Sequence, residues 1–109
     1  EVPDLDFLHS KGIAISDENY DIIKCMHESI GQFVYFSNLS LSAIETLVEE
    51  EYGSLSLYIG ETRPGTRIKE GRGIMVSMDF FYEGYWLDNK LHYSGRYLHF
   101  DYYIFDLSC

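Results

Sequence analysis

The feature that most constrains this chain is an internal repeat of tyrosine and glycine in its second half. Tyr58-Ile59-Gly60-Glu61 is matched by Tyr82-Glu83-Gly84-Tyr85, Gly73 by Gly95, and Asp79-Phe80-Phe81 by Asp101-Tyr102-Tyr103. The last two matches are 22 residues apart and the first is 24 apart. The loop spanning 65–71 carries the two additional residues. A short repeat of this kind marks a small supersecondary unit that buries its apolar face only by stacking on its neighbour. Glycine inside a strand leaves a gap that an aromatic ring can fill, and it lets two hairpins approach closely. Alternating Tyr and Gly therefore predict a ladder of rings over a ladder of gaps. Each ring pair adds about 0.5–1.5 kcal/mol beyond burial.

The remaining pattern predicts an α+β fold, an N-terminal two-helix segment followed by an antiparallel β-hairpin array. In the second half, Leu55, Leu57 and Ile59 alternate with Ser54, Ser56 and Tyr58. Pro64-Gly65 marks a turn, and Asp88-Asn89 reads as a two-residue hairpin turn because both residues tolerate positive φ. In the first half, Ser16 reads as an N-cap followed by Asp17 and Glu18. Tyr20, Ile23, His27 and Ile30 form a helical stripe that ends at Gly31. Gln32 to Phe36 has strand character. A second helix is expected from Ser40 or Ser42, with Ser42 and Glu45 as a capping box and Leu41, Ile44, Leu47 and Val48 as its apolar stripe. Glu49-Glu50-Glu51 would be its wet face and Gly53 its end. The organisation expected is an acidic helical segment over 1–57, acting as a cap, and two hairpin repeats with a partial third over 58–109.

These residues resemble MORN repeats over roughly residues 58–107. The family pattern runs Tyr-x-Gly-x-Trp, a turn glycine, then Gly-x-Gly. The second unit fits best, with Tyr82, Gly84, Trp86, Asn89-Lys90 at the turn, and Gly95. It departs where Asn89 and Tyr93 replace glycines. The first unit has Tyr58, Gly60, Gly65, Gly71 and Gly73, but Thr62 replaces the Trp. The resemblance implies stacked β-hairpins and a non-enzymatic protein–protein interaction scaffold, a subunit of a cytoskeletal or ciliary assembly. On that basis Gly60, Gly73, Gly84 and Gly95 are structural glycines. Tyr82, Trp86, Tyr97, Tyr102, Tyr103 and Phe105 are the candidate partner-binding residues. Most large aromatics at regular spacing are packing residues, so the same side chains also read as the repeat's own core.

Charge narrows the partners. The 109 residues hold 18 acids and 8 Lys or Arg, a formal net charge of -10. Residues 1–57 hold 11 acids and 2 bases, whereas 58–109 are close to neutral. So acidic a chain is a poor fit for nucleic acid or an anionic membrane, where Lys and Arg must neutralise phosphates. No apolar run approaches the roughly 20 residues of a membrane span. One basic cluster, Arg63, Arg67, Lys69 and Arg72, is a candidate contact for an anion or an acidic partner. A solvated loop balancing Glu61 and Glu70 is its plainer explanation.

The residues point to no catalysis. Cys25-x-His27 and His99-x-Asp101 are the close ligand-type pairs, and neither has the second pair that a zinc site needs. Gly71-Arg72-Gly73 lacks the Gly-Lys-Ser/Thr ending of a phosphate loop. No cofactor, metal or small-molecule substrate is expected. Cys25 and Cys109 read as free thiols or as one bridge. The chain opens on Glu1 without Met and its third unit is unfinished, so a subunit or fragment is expected, intracellular and cytoplasmic or cytoskeletal. It would meet a protein partner, or a copy of itself, through the C-terminal edge. The alternative is a small acidic inhibitor or immunity-type protein that masks a basic enzyme or nucleic-acid-binding site through its first half.

Overall fold

Residues 2–31, 33, 44–51 and 53–101 are described by a computed structural model. The chain opens with α1 (Leu5–Ser10), capped by the Asp4 carboxylate, which accepts from Phe7 N at 2.8 Å. Six residues are too few to show a helical period, and this element was not legible in the pattern. The longer α2 (Asp17–Ile30) begins and ends as its sequence predicts. Ser16 Oγ accepts from Asn19 N at 3.1 Å, and Gly31, at φ 76°, stops the helix. Its buried stripe is Ile23 and Met26 with His27 beside them, whereas Ile30 is 61% exposed.

The expected second helix is corrected. Residues 44–51 form β1 (Ile44–Glu51), which pairs antiparallel with β2 (Ser54–Thr62) over eight consecutive positions, from Ile44↔Glu61 to Glu51↔Ser54. A short apolar run fits a helix or a strand equally well by spacing. Here the β-branched residues Ile44, Thr46 and Val48 and the long-range partner β2 decide for the strand. The Ser42 half of the capping box and most of the strand expected over 32–36 lie outside the described residues.

The sheet continues through β3 (Lys69–Ser77), β4 (Phe80–Leu87) and β5 (Lys90–His99). Among the described residues it has five strands in the order β1-β2-β3-β4-β5, an antiparallel meander. The α+β class therefore holds. The change in composition at residue 57 falls inside β2, so one sheet crosses it. The β4–β5 turn is the predicted Asp88-Asn89 pair, with φ of 52° and 66°, the backbone that matches the twist of a two-residue hairpin.

Register sorts the sheet into rows. Val48, Leu57, Val76, Phe81 and Leu98 align across all five strands on one face. That face packs against Leu8, Ile13, Ile15, Ile23 and Met26 from the helical segment, forming the main core. The next row on the opposite, open face is Leu47, Tyr58, Met75, Tyr82 and Tyr97. Beside it runs a row of glycines, Gly60↔Gly73↔Gly84↔Gly95. The register slips just after Gly60 in the β2–β3 pair and just after Gly84 in the β4–β5 pair, the same place in each repeat.

The glycine row is required by close approach. A Cβ at Gly73 would stand 2.5 Å from Tyr58 Cε1, and one at Gly95 would stand 2.5 Å from Tyr82 Cζ. Both contacts are with ring atoms packed against backbone, which have nowhere to move. Gly73→Ala and Gly95→Ala are each expected to destabilise the fold by about 1–3 kcal/mol through overpacking. Urea midpoints of the two variants check this, with Gly65→Ala, in an open turn, as the contrasting case whose cost is backbone strain alone.

Candidate functional site

The open face is built from two copies of one arrangement. Tyr58 leaves β2 and lies over Gly73, and its phenol donates to Glu61 O at 2.6 Å. Tyr82 leaves β4 and lies over Gly95, and its phenol donates to Tyr85 O at 2.9 Å. In both cases the acceptor is three residues ahead, so the local fold repeats with the sequence. Trp86 stands edge-on between the two tyrosines, at 5.2 Å from Tyr58 and 5.4 Å from Tyr82, and its Nε1 donates to Gly73 O at 3.2 Å. Phe80 stacks on Tyr97 at 5.6 Å.

Of the aromatic residues singled out by sequence, Tyr82 and Trp86 are buried in this face and Tyr97 is exposed. Tyr102, Tyr103 and Phe105 lie outside the described residues. Buried Tyr82 and Trp86 form the floor of a surface, while Tyr97 and its neighbour Leu91 on β5, 46% and 47% exposed, offer apolar area to solvent. Beside them lies a groove of about 310 Å³ walled by Met75, Phe80, Trp86, Leu91 and Tyr97. Its polar groups include Glu49, Lys69 and Lys90.

Lys69 is the unusual member. It is only 4% exposed, and its ammonium lies 5.5 Å from the Tyr58 ring centroid and 5.8 Å from that of Trp86. Glu49, reaching from β1, pairs with the ammonium. The rings' negative faces and the carboxylate together offset the loss of water around this buried charge. Asn89 fixes the start of β3 from the next turn. Its Oδ1 accepts from Lys69 N at 2.8 Å and its own N–H donates to Lys69 O at 3.1 Å.

The basic cluster does not form one patch. Strand alternation sends Lys69 to the open face and Arg72 to the other, where its Nε lies 3.0 Å from Glu61 Oε1. Arg63 in the loop bonds Glu70 at 2.8 Å and lies 3.6 Å from Asp88. The Arg63 hydrogen bond holds the Glu70 carboxyl below its usual range. Arg67 is exposed and makes no ion pair among the described residues.

A second polar node was missed at the sequence level. Glu83, the x of Tyr-x-Gly in the second unit, points to the helical face and is buried. Its carboxylate takes His27 Nε2 at 3.0 Å and Arg96 at 3.2 Å. Arg96 also donates to Gly31 O at the end of α2. The node ties α2 to β4 and β5. Strand alternation from Tyr82 could have placed Glu83 on the covered face, and a buried carboxylate there needs partners. Among the described residues, no three His, Cys, Asp or Glu side chains come together as a metal site would require. Cys25, half-buried on α2, is disulfide-bonded.

Two outcomes follow from this electrostatics. Removing Glu49 leaves the Lys69 charge buried without its carboxylate, whereas Lys69→Met keeps the packing and removes the charge. Glu49→Ala is therefore expected to cost more stability than Lys69→Met, by about 1–2 kcal/mol in chemical denaturation. Partial loss of water pushes the phenols of Tyr20, Tyr82 and Tyr97 above their ordinary 10.0, with the nearby Asp4 and Asp79 carboxylates adding to it at Tyr20 and Tyr97. Their folded pKa values exceed the unfolded ones, so their contribution is complete below about pH 10 and is lost as pH rises through the folded values. The urea midpoint should fall as pH is raised past that point, and a flat profile would contradict the assignment.

No protein-family model, curated protein or solved structure matches the chain.

Proposed function

We propose that this chain is a non-enzymatic protein–protein interaction module, a subunit or fragment of a larger assembly, and that it meets its partner through the open face of the sheet. The observation that carries this is the asymmetry of the two faces. One face is covered by the helical segment, and the other leaves Leu91 and Tyr97 exposed beside an aromatic groove. Interfaces centre on such packed aromatic anchors with exposed apolar neighbours. The repeated ring-over-glycine seat is in keeping with the resemblance to MORN hairpins, and with a scaffold role.

The acidic-inhibitor alternative has less support. It would face its partner with Asp17, Glu18 and Asp21 and with Glu49-Glu50-Glu51 as a helical face, but residues 44–51 are a strand, and alternation sends Glu49 and Glu50 to opposite faces of β1. Glu49 is moreover engaged by Lys69. Two double variants separate the readings: Leu91→Glu with Tyr97→Glu on the open face, and Asp17→Lys with Asp21→Lys on exposed positions of α2. Partner capture from extracts of the source organism, with each variant checked for folding, should be lost with the first pair and kept with the second. The reverse pattern, with binding that weakens steeply as salt rises, would replace the module by the charge mimic.

A further inference from the structure

The geometry points to the groove of the open face as a seat for the free carboxyl terminus of a partner chain that ends in an apolar residue. This deepens, and rests on, the reading of that face as a protein-binding surface. The groove's volume of about 310 Å³ is at the small end of ligand sites and suits one large side chain with its terminal carboxylate. Met75, Phe80, Trp86 and Leu91 supply apolar walls for that side chain.

Charge selects the other half of the ligand. In a chain of net charge -10, the groove brings Lys69 and Lys90 together against Glu49 alone among its charged lining groups. An anion that the rest of the surface repels is therefore favoured here. Lys69 has three donor protons, and Glu49 Oε1 is its acceptor among the described residues. A buried ammonium gains from each further acceptor, since water supplies few. Asn89 pins the Lys69 backbone on both its N–H and its carbonyl, so the ammonium is presented from a fixed position.

A chain terminus fits better than a free small acid because the groove is not closed over. Its own walls Leu91 and Tyr97, on β5, remain half-exposed. A chain leaving the groove covers them, whereas a free acid leaves them wet.

Trp86 is the chain's single tryptophan and lines the groove, so its emission reports occupancy. The probes are the peptide acetyl-Gly-Ser-Leu-Phe with a free carboxylate, the same peptide as its C-terminal amide, and acetylphenylalanine. The free-acid peptide should give a saturable change, with the amide about tenfold weaker or more, a loss of roughly 1.4 kcal/mol. Lys69→Met should abolish the preference for acid over amide. Lys90→Met, at an exposed position that leaves folding intact, should weaken the acid about threefold and leave the amide unchanged. Equal affinity for acid and amide, or acetylphenylalanine binding as tightly as the peptide, overturns the inference. So does an unresponsive Trp86 up to about 5 mM peptide. The capture experiment with the Leu91 and Tyr97 variants is independent of the carboxylate. Loss of capture there with no peptide binding here leaves the binding face standing and removes only its terminal-carboxylate specificity.

Discussion

The seating of Tyr58 and Tyr82 over the glycine row holds the open face together. Each ring lies over backbone that carries no side chain, and each phenol closes onto a carbonyl three residues ahead. Among the described residues, that side of the sheet packs through its own rings, Leu47 and Met75. A meander with one uncovered face normally shows polar residues there. Here the uncovered face is filled by its own rings, with Trp86 joining the two repeats. The groove, Lys69 and the exposed part of β5 are all placed by this arrangement.

Two polar nodes complete it from opposite sides. On the open face, Glu49 and Lys69 connect β1 to the rings of β2 and β4. On the covered face, Glu83 connects His27 and the end of α2 to Arg96 on β5. Both are charges brought into low-dielectric surroundings and paired there, so each specifies one arrangement of its neighbours more than it adds stability. Most of the described acids thus lie on the outer surface, while Lys69, Arg72 and Arg96 serve as partners for carboxylates inside the fold.

The second half was legible in the sequence because its signals are local and repeated. Tyr-x-Gly spacing named the rings and their seats, and Asp88-Asn89 named a turn whose backbone few other pairs tolerate. The first half was less so. Ser16 and Gly31 bounded α2 correctly because caps are local chemistry. Ile44 to Val48 misled because its spacing serves a helix or a strand, and the partner that decides between them starts only after Gly53. Leu5 to Ser10 was too short to show a period.

The sequence by itself determined the α+β class, the repeat, the glycine row and the distribution of charge, since each depends on residue type and spacing along one strand or helix. Only the tertiary structure decided which face of the sheet is covered, that Lys69 is a buried cation between Tyr58 and Trp86, and that Glu83 anchors α2. Those facts depend on side chains about 20 and 56 residues apart in sequence meeting in space. Long-range pairing of this kind leaves no trace in local pattern, because its free energy comes from desolvation shared between elements rather than from any one of them.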